Sequence, residues 1–364
     1  MKEFGKRYYK HTFYYNFDEE NNLNSIFETN KDPNRIIELL SIISGEKIDA
    51  DNSLIIFDEI QECSEALNSL KYFNEKAHEY HIITAGSLLG TLLAAPKAYP
   101  VGKVNLMDIS PLSFGEFLLA CDENLYKYYV SVEKEQRIED IFHVKLLDVY
   151  HNYLIIGGMP ECVASWCNYK DPKRIAEIQH ELLEVYENDF SKHNGKINSG
   201  RLLMVFRSIA SQLAKENEKF VYGALRKGGR AREFEEAIEW LVSAGLLKNM
   251  AGIDNAAILL KSDYQFKGPL TENYVLQQIK NQFDVAPRYY SNRYGEIDFI
   301  IQYGTDVIPV EAKGGIDKSA PTFKTYIKEH DASLAIRISE RGYRRDGAIT
   351  NFPPYLAGRI IDLI

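Results

Sequence analysis

Residues 54–61 read Leu54-Ile55-Ile56-Phe57-Asp58-Glu59-Ile60-Gln61. Four apolar residues in succession, without helical spacing, predict a strand buried on both faces. Such a strand commits the chain to a sheet with helices on either side. The run stops on two adjacent carboxylates, Asp58 and Glu59. In an open parallel sheet, ligands bind beyond the carboxyl ends of the strands, so both acids are expected at a ligand-binding edge. There the first acid suits Mg²⁺, usually through water, and the second suits polarising the attacking water of a nucleotide hydrolysis. A polar turn that closes a strand is the alternative for the same two residues.

The flanking segments repeat the pattern. Phe13 to Phe17 alternates as a strand, and Asn30 to Ile43 carries Ile36, Ile37, Leu39, Leu40 and Ile43 at helical spacing, with Pro33 in the first turn. Ser64 to Glu79 is a second helix with Leu67, Leu70 and Phe73 on one face, and His81-Ile82-Ile83-Thr84 is a third strand ending in Ala85-Gly86-Ser87. Strand, helix, strand, helix, strand predicts an α/β fold with a parallel sheet and right-handed crossovers. Val104 to Ile109 is a fourth strand candidate, and 116–190 is helical and amphipathic, interrupted at Gly157-Gly158-Met159-Pro160.

Several blocks in fixed order carry a resemblance. They are Phe57-Asp58-Glu59-Ile60-Gln61-Glu62-Cys63, Ser69-Leu70-Lys71-Tyr72-Phe73, Ala85-Gly86-Ser87-Leu88-Leu89-Gly90, Pro100-Val101-Gly102-Lys103-Val104, Pro111-Leu112-Ser113-Phe114-Gly115-Glu116-Phe117-Leu118, Gly157-Gly158-Met159-Pro160-Glu161 and Leu270-Thr271-Glu272-Asn273-Tyr274-Val275. Over nearly the whole chain they resemble prokaryotic AAA-type, P-loop ATPases whose core is followed by a C-terminal domain of unknown function. The resemblance implies ATP and Mg²⁺ as cofactors, Asp58 as the Mg²⁺-holding acid of a Walker B strand, Glu59 as the water-polarising acid, and Ser87 as the γ-phosphate sensor. Lys103 stands where the family commonly has an arginine that reaches a neighbour's nucleotide; lysine keeps the charge and loses the bidentate fork, and a solvated lysine is the equal alternative. Lys2 to Tyr9 resembles the segment just after the family's phosphate-binding loop, so the resemblance implies that the Walker A loop is missing and ATP binding impaired. The stretch Ala251 to Ala257 also resembles a shortened form of the family's longer connection. Gene decay or trimming accounts for the two losses together, and a misplaced start accounts for the first alone.

The expected organisation is a core lacking the phosphate loop (1–115), a helical lid (116–190), a polar linker (191–200), a winged-helix-like segment (200–250) and a C-terminal α/β domain (265–364). The basic turn Arg226 to Arg232 suits phosphate contact without base reading, or simple solvation. Net charge −9 removes any global field toward nucleic acid or membrane. No apolar run of about 18 residues and no charged-then-apolar leader occur, so the expectation is cytoplasmic, with no membrane partner. Cys63, Cys121, Cys162 and Cys167 are too scattered for a disulfide scaffold and lack zinc-site spacing; all four are expected as reduced thiols.

The last segment holds a second constellation. Glu272 opens a helix, Asp298 lies on the strand Gly295 to Gln302, and Val307 to Lys313 is the next strand, with Glu311 and Lys313 on one face by the two-residue period. A glutamate, an aspartate, then Glu-x-Lys is the pattern of PD-(D/E)xK nucleases, in which acids bind Mg²⁺ and the lysine stabilises developing phosphate charge. The pattern predicts Glu272, Asp298, Glu311 and Lys313 as catalytic, with Asp298 and Glu311 on metal. A nuclease-like fold kept for docking is the equal alternative. The functions open at this point are an AAA-type ATP-binding protein with an unknown protein client, a metal-dependent nuclease acting on DNA, and a nucleotide-free scaffold; a homo-oligomer fits each.

Overall fold

Strand β2 (Ser53–Asp58) realises the apolar run: Leu54 to Phe57 are at most 1 % exposed. It lies between β1 (His11–Asn16) and β3 (His81–Thr84), parallel to both. The computed structural model describes residues 1–86, 102–107, 109–193, 199–213, 221–244, 246, 267–283, 288–292, 295–316 and 321–364. These fall into two compact units, Met1–Ile109 with Trp240–Gly245, and Ser110–Glu239 with Leu246–Ile364.

In the first unit α1 (Lys2–Tyr8) precedes β1, α2 (Asn24–Thr29) and α3 (Pro33–Ser44) lie between β1 and β2, and α4 (Ser64–Lys76) lies between β2 and β3. Helix α3 starts on Pro33, whose fixed φ suits a first turn, and stops at Gly45, whose φ of +72° is the left-handed C-cap glycine favours. Its buried face is Ile36, Ile37 and Leu40; that of α4 is Ala66, Leu67, Leu70 and Phe73. Phe17, Phe27 and Phe57 meet edge to face at 5.6–5.7 Å and are at most 1 % exposed. Each such ring contributes about 1.5–3 kcal/mol by burial. The fourth strand expected at 104–109 does not form: described residues of 102–109 are turn and coil, and Met107 and Ile109 are over four-fifths exposed. Apolar residues with no neighbouring strand have no ladder to join.

The second unit begins with α5 (Phe114–Cys121), α6 (Glu123–Ser131), α7 (Asp140–Ile156), α8 (Pro160–Tyr169) and α9 (Pro172–His193). A capping box opens α5: the Glu116 amide donates to Ser113 Oγ, and the Ser113 amide donates to Glu116 Oε2 at 2.8 Å. The polar linker expected at 191–200 is partly helix, since α9 runs to His193 and α10 (Ser199–Leu213) starts at Ser199. Of the winged-helix-like segment, α10 and α11 (Ala231–Ser243) form, and Arg226 of its basic turn pairs with Glu233; its last residues, 247–250, lie outside the described residues.

A six-stranded sheet follows α12 (Lys267–Lys280). Its strands are β4 (Arg288–Asn292), β5 (Gly295–Tyr303), β6 (Asp306–Ala312), β7 (Ala335–Ile338), β8 (Arg344–Asp346) and β9 (Ile349–Phe352), in the order β4-β5-β6-β7-β9-β8. Strands β5 and β6 are antiparallel, while β6, β7 and β9 run parallel. Helix α13 (Pro321–Glu329) covers one face through Phe323 and Tyr326, packed with Ile297 and Ala335. The other face joins α12 and the helices of 114–182 in one core: Phe114, Tyr150 and Tyr153 surround Tyr274 at 4.9–6.5 Å, together with Val310, Ile336 and Tyr355. The helices expected as a lid thus share their buried core with the C-terminal sheet.

The thiols need one correction. Cys121 and Cys167 form a disulfide, with Cα atoms 5.0 Å apart across 46 positions of sequence. The packing of α5 on α8 brings them together, which no sequence spacing encodes. Cys63 and Cys162 are buried free thiols; burial pushes the Cys162 thiol up to about 11.

Candidate functional site

Asp58 is the last residue of β2 and Glu59 the first beyond it, at the carboxyl edge of the parallel sheet. The neighbouring strands converge on this edge. The Phe17 amide donates to the Asp58 carbonyl at 3.1 Å, the Ala85 amide to the Phe57 carbonyl at 2.9 Å, and the Ile60 amide to the Ala85 carbonyl at 3.1 Å. Ser87, two residues past Ala85, lies outside the described residues.

Both oxygens of Asp58 are engaged. Oδ2 accepts from the Tyr14 hydroxyl at 2.6 Å, and Oδ1 accepts from the Glu59 amide at 3.1 Å. The Asp58 carboxylate, with some burial, holds the Tyr14 phenol above the usual tyrosine range. Tyr14 is a site residue that the sequence reading misses; its only trace is a tyrosine near the end of β1, paired in register with Ile56. Glu59 has φ +50°, a left-handed backbone that costs a side-chain-bearing residue about 1 kcal/mol and concentrates at functional sites. Its Oε2 accepts from Gln61 Nε2. Lys103 Nζ pairs with Glu75 of α4 at 3.2 Å, within its own unit.

In the second unit the sheet brings Asp298, Glu311 and Lys313 together. Asp298 Oδ2 accepts from the Ala312 amide at 2.6 Å, bridging β5 to β6. A local irregularity sets this up. Ile297 to Ile300 of β5 spans only Tyr290 to Arg288 of β4, so β5 carries one extra residue beside Asp298. An extra residue of this kind re-aims a side chain and recurs next to active sites. Glu311 is 5 % exposed; one oxygen pairs with Lys313 Nζ, and the other, Oε2, is buried without a hydrogen-bond partner. Glu272 lies in the first turns of α12, half-buried.

The electrostatics record the convergence. Desolvation, the Glu311 charge and the Glu272 charge push the Asp298 carboxyl up to about 8. Burial works against the Lys313 charge, yet its bond to Glu311 and the charges of Glu311, Asp298 and Glu272 leave it above the usual lysine range. Among the described residues no three His, Cys, Asp or Glu side chains are grouped as a ready metal cage. Two carboxylates suffice for Mg²⁺, which keeps several waters and takes one or two protein acids. The orphaned Glu311 oxygen and the elevated Asp298 fit a cation that offsets their repulsion.

Known families match in three pieces. Residues 1–118 match the family model of an AAA domain. Residues 147–267 match a domain of unknown function (DUF8612), and residues 267–355 match another (DUF4143). No curated relative matches the chain. The chain is therefore similar to ATP-binding AAA-family proteins over the unit that carries Asp58 and Glu59. No helix among the described residues is long and apolar enough to cross a membrane.

Proposed function

We propose that this chain is an AAA-family ATP-binding protein of unknown protein client in which residues 1–364 by themselves hold ATP weakly. Asp58 would hold Mg²⁺ through water, and Glu59 would polarise the attacking water. Lys103 and Ser87 would contact the nucleotide. What supports weak binding is the lack of a phosphate cradle in these residues. Phosphates are normally cradled by loop N–H groups and a lysine, and no G-x-x-x-x-G-K-[ST] run occurs in the 364 residues; Ser44-Gly45-Glu46-Lys47 lacks the first glycine and the Ser/Thr. Calorimetry with Mg²⁺-ATP should give no micromolar affinity, and a micromolar value overturns the proposal. In a longer form that carries the loop, Asp58→Asn should weaken Mg²⁺-ATP, while Glu59→Gln should spare binding and stop hydrolysis.

A second reading, Mg²⁺-dependent cleavage of a nucleic-acid phosphodiester in the C-terminal sheet, is favoured by the union of Asp298, Glu311 and Lys313. Asp298 and Glu311 would hold the cation, which when bound polarises the phosphoryl oxygen and lowers the pKa of its water. Lys313 would hold the charge developing on phosphate, and Glu272 would orient water. Nicking of plasmid DNA that needs Mg²⁺ and is lost in Asp298→Ala supports cleavage. Intact plasmid leaves the sheet as a docking domain and the chain as a scaffold, alone or as a homo-oligomer.

A further inference from the structure

Cross-strand register joins Glu311 to residues that no motif assigns. Glu311 of β6 pairs with Arg337 of β7, Arg337 with Asn351 of β9, and Asn351 with Arg344 of β8. Residues directly opposite one another in a sheet share a face. The alternate positions Val310, Ala312, Ile336, Ile338 and Phe352 all lie in the main core, so the row Glu311, Arg337, Asn351, Arg344 occupies the opposite face. That face has two halves. Toward the amino ends of β7 and β9, Ala335 and Ile349 pack with Phe323 and Tyr326 of α13. Toward the carboxyl ends the row is polar, and it starts at Glu311 beside Asp298.

We infer that this row is a phosphate track, in which Arg337 and Arg344 hold the backbone of a nucleic-acid strand whose reacting phosphate lies at Asp298 and Glu311; it rests on the phosphodiester-cleavage reading. Arg337 is half-buried and one strand from Glu311, and Arg344 is exposed and three strands away. At about 4.8 Å per strand, that is roughly 14 Å. A strand in duplex geometry places a phosphate about every 3.4 Å of axis, so the row reaches about four phosphates beyond the cleavage point. Asn351 is structural. Its Nδ2 donates to the Arg341 and Gly342 carbonyls at 3.1 and 3.2 Å, and its Oδ1 accepts from Ser339 Oγ at 2.6 Å. It thereby fixes the turn that carries Arg341 between the two basic positions. Arginine suits the task, since its planar fork bonds phosphate oxygens bidentately. With an overall charge of −9, no diffuse field supplies such binding, so it must be local. Arg345, on the same short strand, is already held by Glu135 at 3.1 Å and lies outside the track.

The test is fluorescence anisotropy with a labelled oligonucleotide duplex, once as DNA and once as RNA, with Ca²⁺ replacing Mg²⁺ to block cleavage. Arg344→Ala should weaken binding several-fold for every base sequence and lower the slope of log affinity against log salt by about one. Arg345→Ala should leave both unchanged. Binding of either sugar type in this manner supports the track and assigns the substrate. No binding by the native chain, or an Arg344→Ala variant with unaltered affinity and slope, overturns it. Mn²⁺-induced thermal stabilisation, read in the same variants, separates the two readings. If Mn²⁺ stabilises but Arg344 has no effect, the cation site stands and the track falls. If Arg344-dependent binding persists with no Mn²⁺ response, the track stands and cleavage falls.

Discussion

The amide of Leu112 donates to the carbonyl of Gly158 at 2.7 Å, and the carbonyl of Leu112 accepts from the Tyr153 hydroxyl at 2.6 Å. Two blocks distant in sequence, Pro111 to Leu118 and Gly157 to Glu161, are thus clasped backbone to backbone at the start of α5. The glycine is a requirement of close approach. A Cβ on Gly158 would stand 2.1 Å from the Leu112 oxygen and 2.8 Å from its nitrogen, and neither atom belongs to a side chain that can swing away. Gly158→Ala should therefore destabilise the chain by about 3 kcal/mol, the upper end of overpacking costs, as read from the urea midpoint. A loss within about 0.5 kcal/mol, the range of ordinary surface changes, would mean that the clasp yields freely.

The Cys121–Cys167 bridge closes a long loop, with 46 positions between its ends. The loop-entropy relation gives about 4 kcal/mol of stabilisation for that length, as an upper figure. Reduction with a phosphine should lower the thermal midpoint, and Cys121→Ser should lower it similarly without reductant. Unreduced, denatured chain should react with Ellman's reagent at Cys63 and Cys162 only; reaction of all four cysteines would show the bridge to be absent in solution.

What the sequence disclosed depended on how local the cause was. β2 was legible because burial on both faces leaves an unbroken apolar run, and α3 because Pro33 and Gly45 mark its ends. Asp298, Glu311 and Lys313 were legible as types in order, since strand period alone puts Glu311 and Lys313 on one face. Non-local pairings were not legible. Tyr14 reaches Asp58 across 44 positions, and Cys121 meets Cys167 through helix packing. The strand expected at 104–109 failed for the converse reason: an apolar run proposes a strand, but only a neighbouring ladder makes one. Arg344 stands in the row of Glu311 only because of the sheet order β6-β7-β9-β8, which composition does not encode.

Tyr14 gives the Asp58 edge a direct test. A hydrogen bond to a charged group is worth about 1.5–3 kcal/mol, and this one is only part-buried, so the lower end applies. Tyr14→Phe should lower stability by about 1.5 kcal/mol at neutral pH, measured by urea unfolding. In the double variant with Asp58→Ala the two losses should fall short of additivity, because both remove the same bond. Fully additive losses would show that the two side chains act independently.

Asp298 sets a pH dependence of unusual sign. Its carboxyl is pushed up to about 8 in the folded chain by desolvation and the charges of Glu311 and Glu272, against an unfolded value of about 3.9. Between those values the folded state binds the extra proton, so stability falls as pH rises through the window, by at most about 1.4 kcal/mol per pH unit. This is opposite to the usual salt-bridged carboxylate, whose contribution is lost as pH falls. A divalent cation at Asp298 and Glu311 would favour the ionised form and displace the proton. The thermal gain from Mn²⁺ should accordingly be small near pH 6 and grow toward about pH 8.5. Asp298→Asn should flatten the pH slope and abolish the Mn²⁺ gain together, whereas Asp331→Asn, at an exposed acid, should change neither. Scanning calorimetry across pH, with and without Mn²⁺, decides the matter: a gain that is independent of pH, or that survives in Asp298→Asn, would place any cation elsewhere.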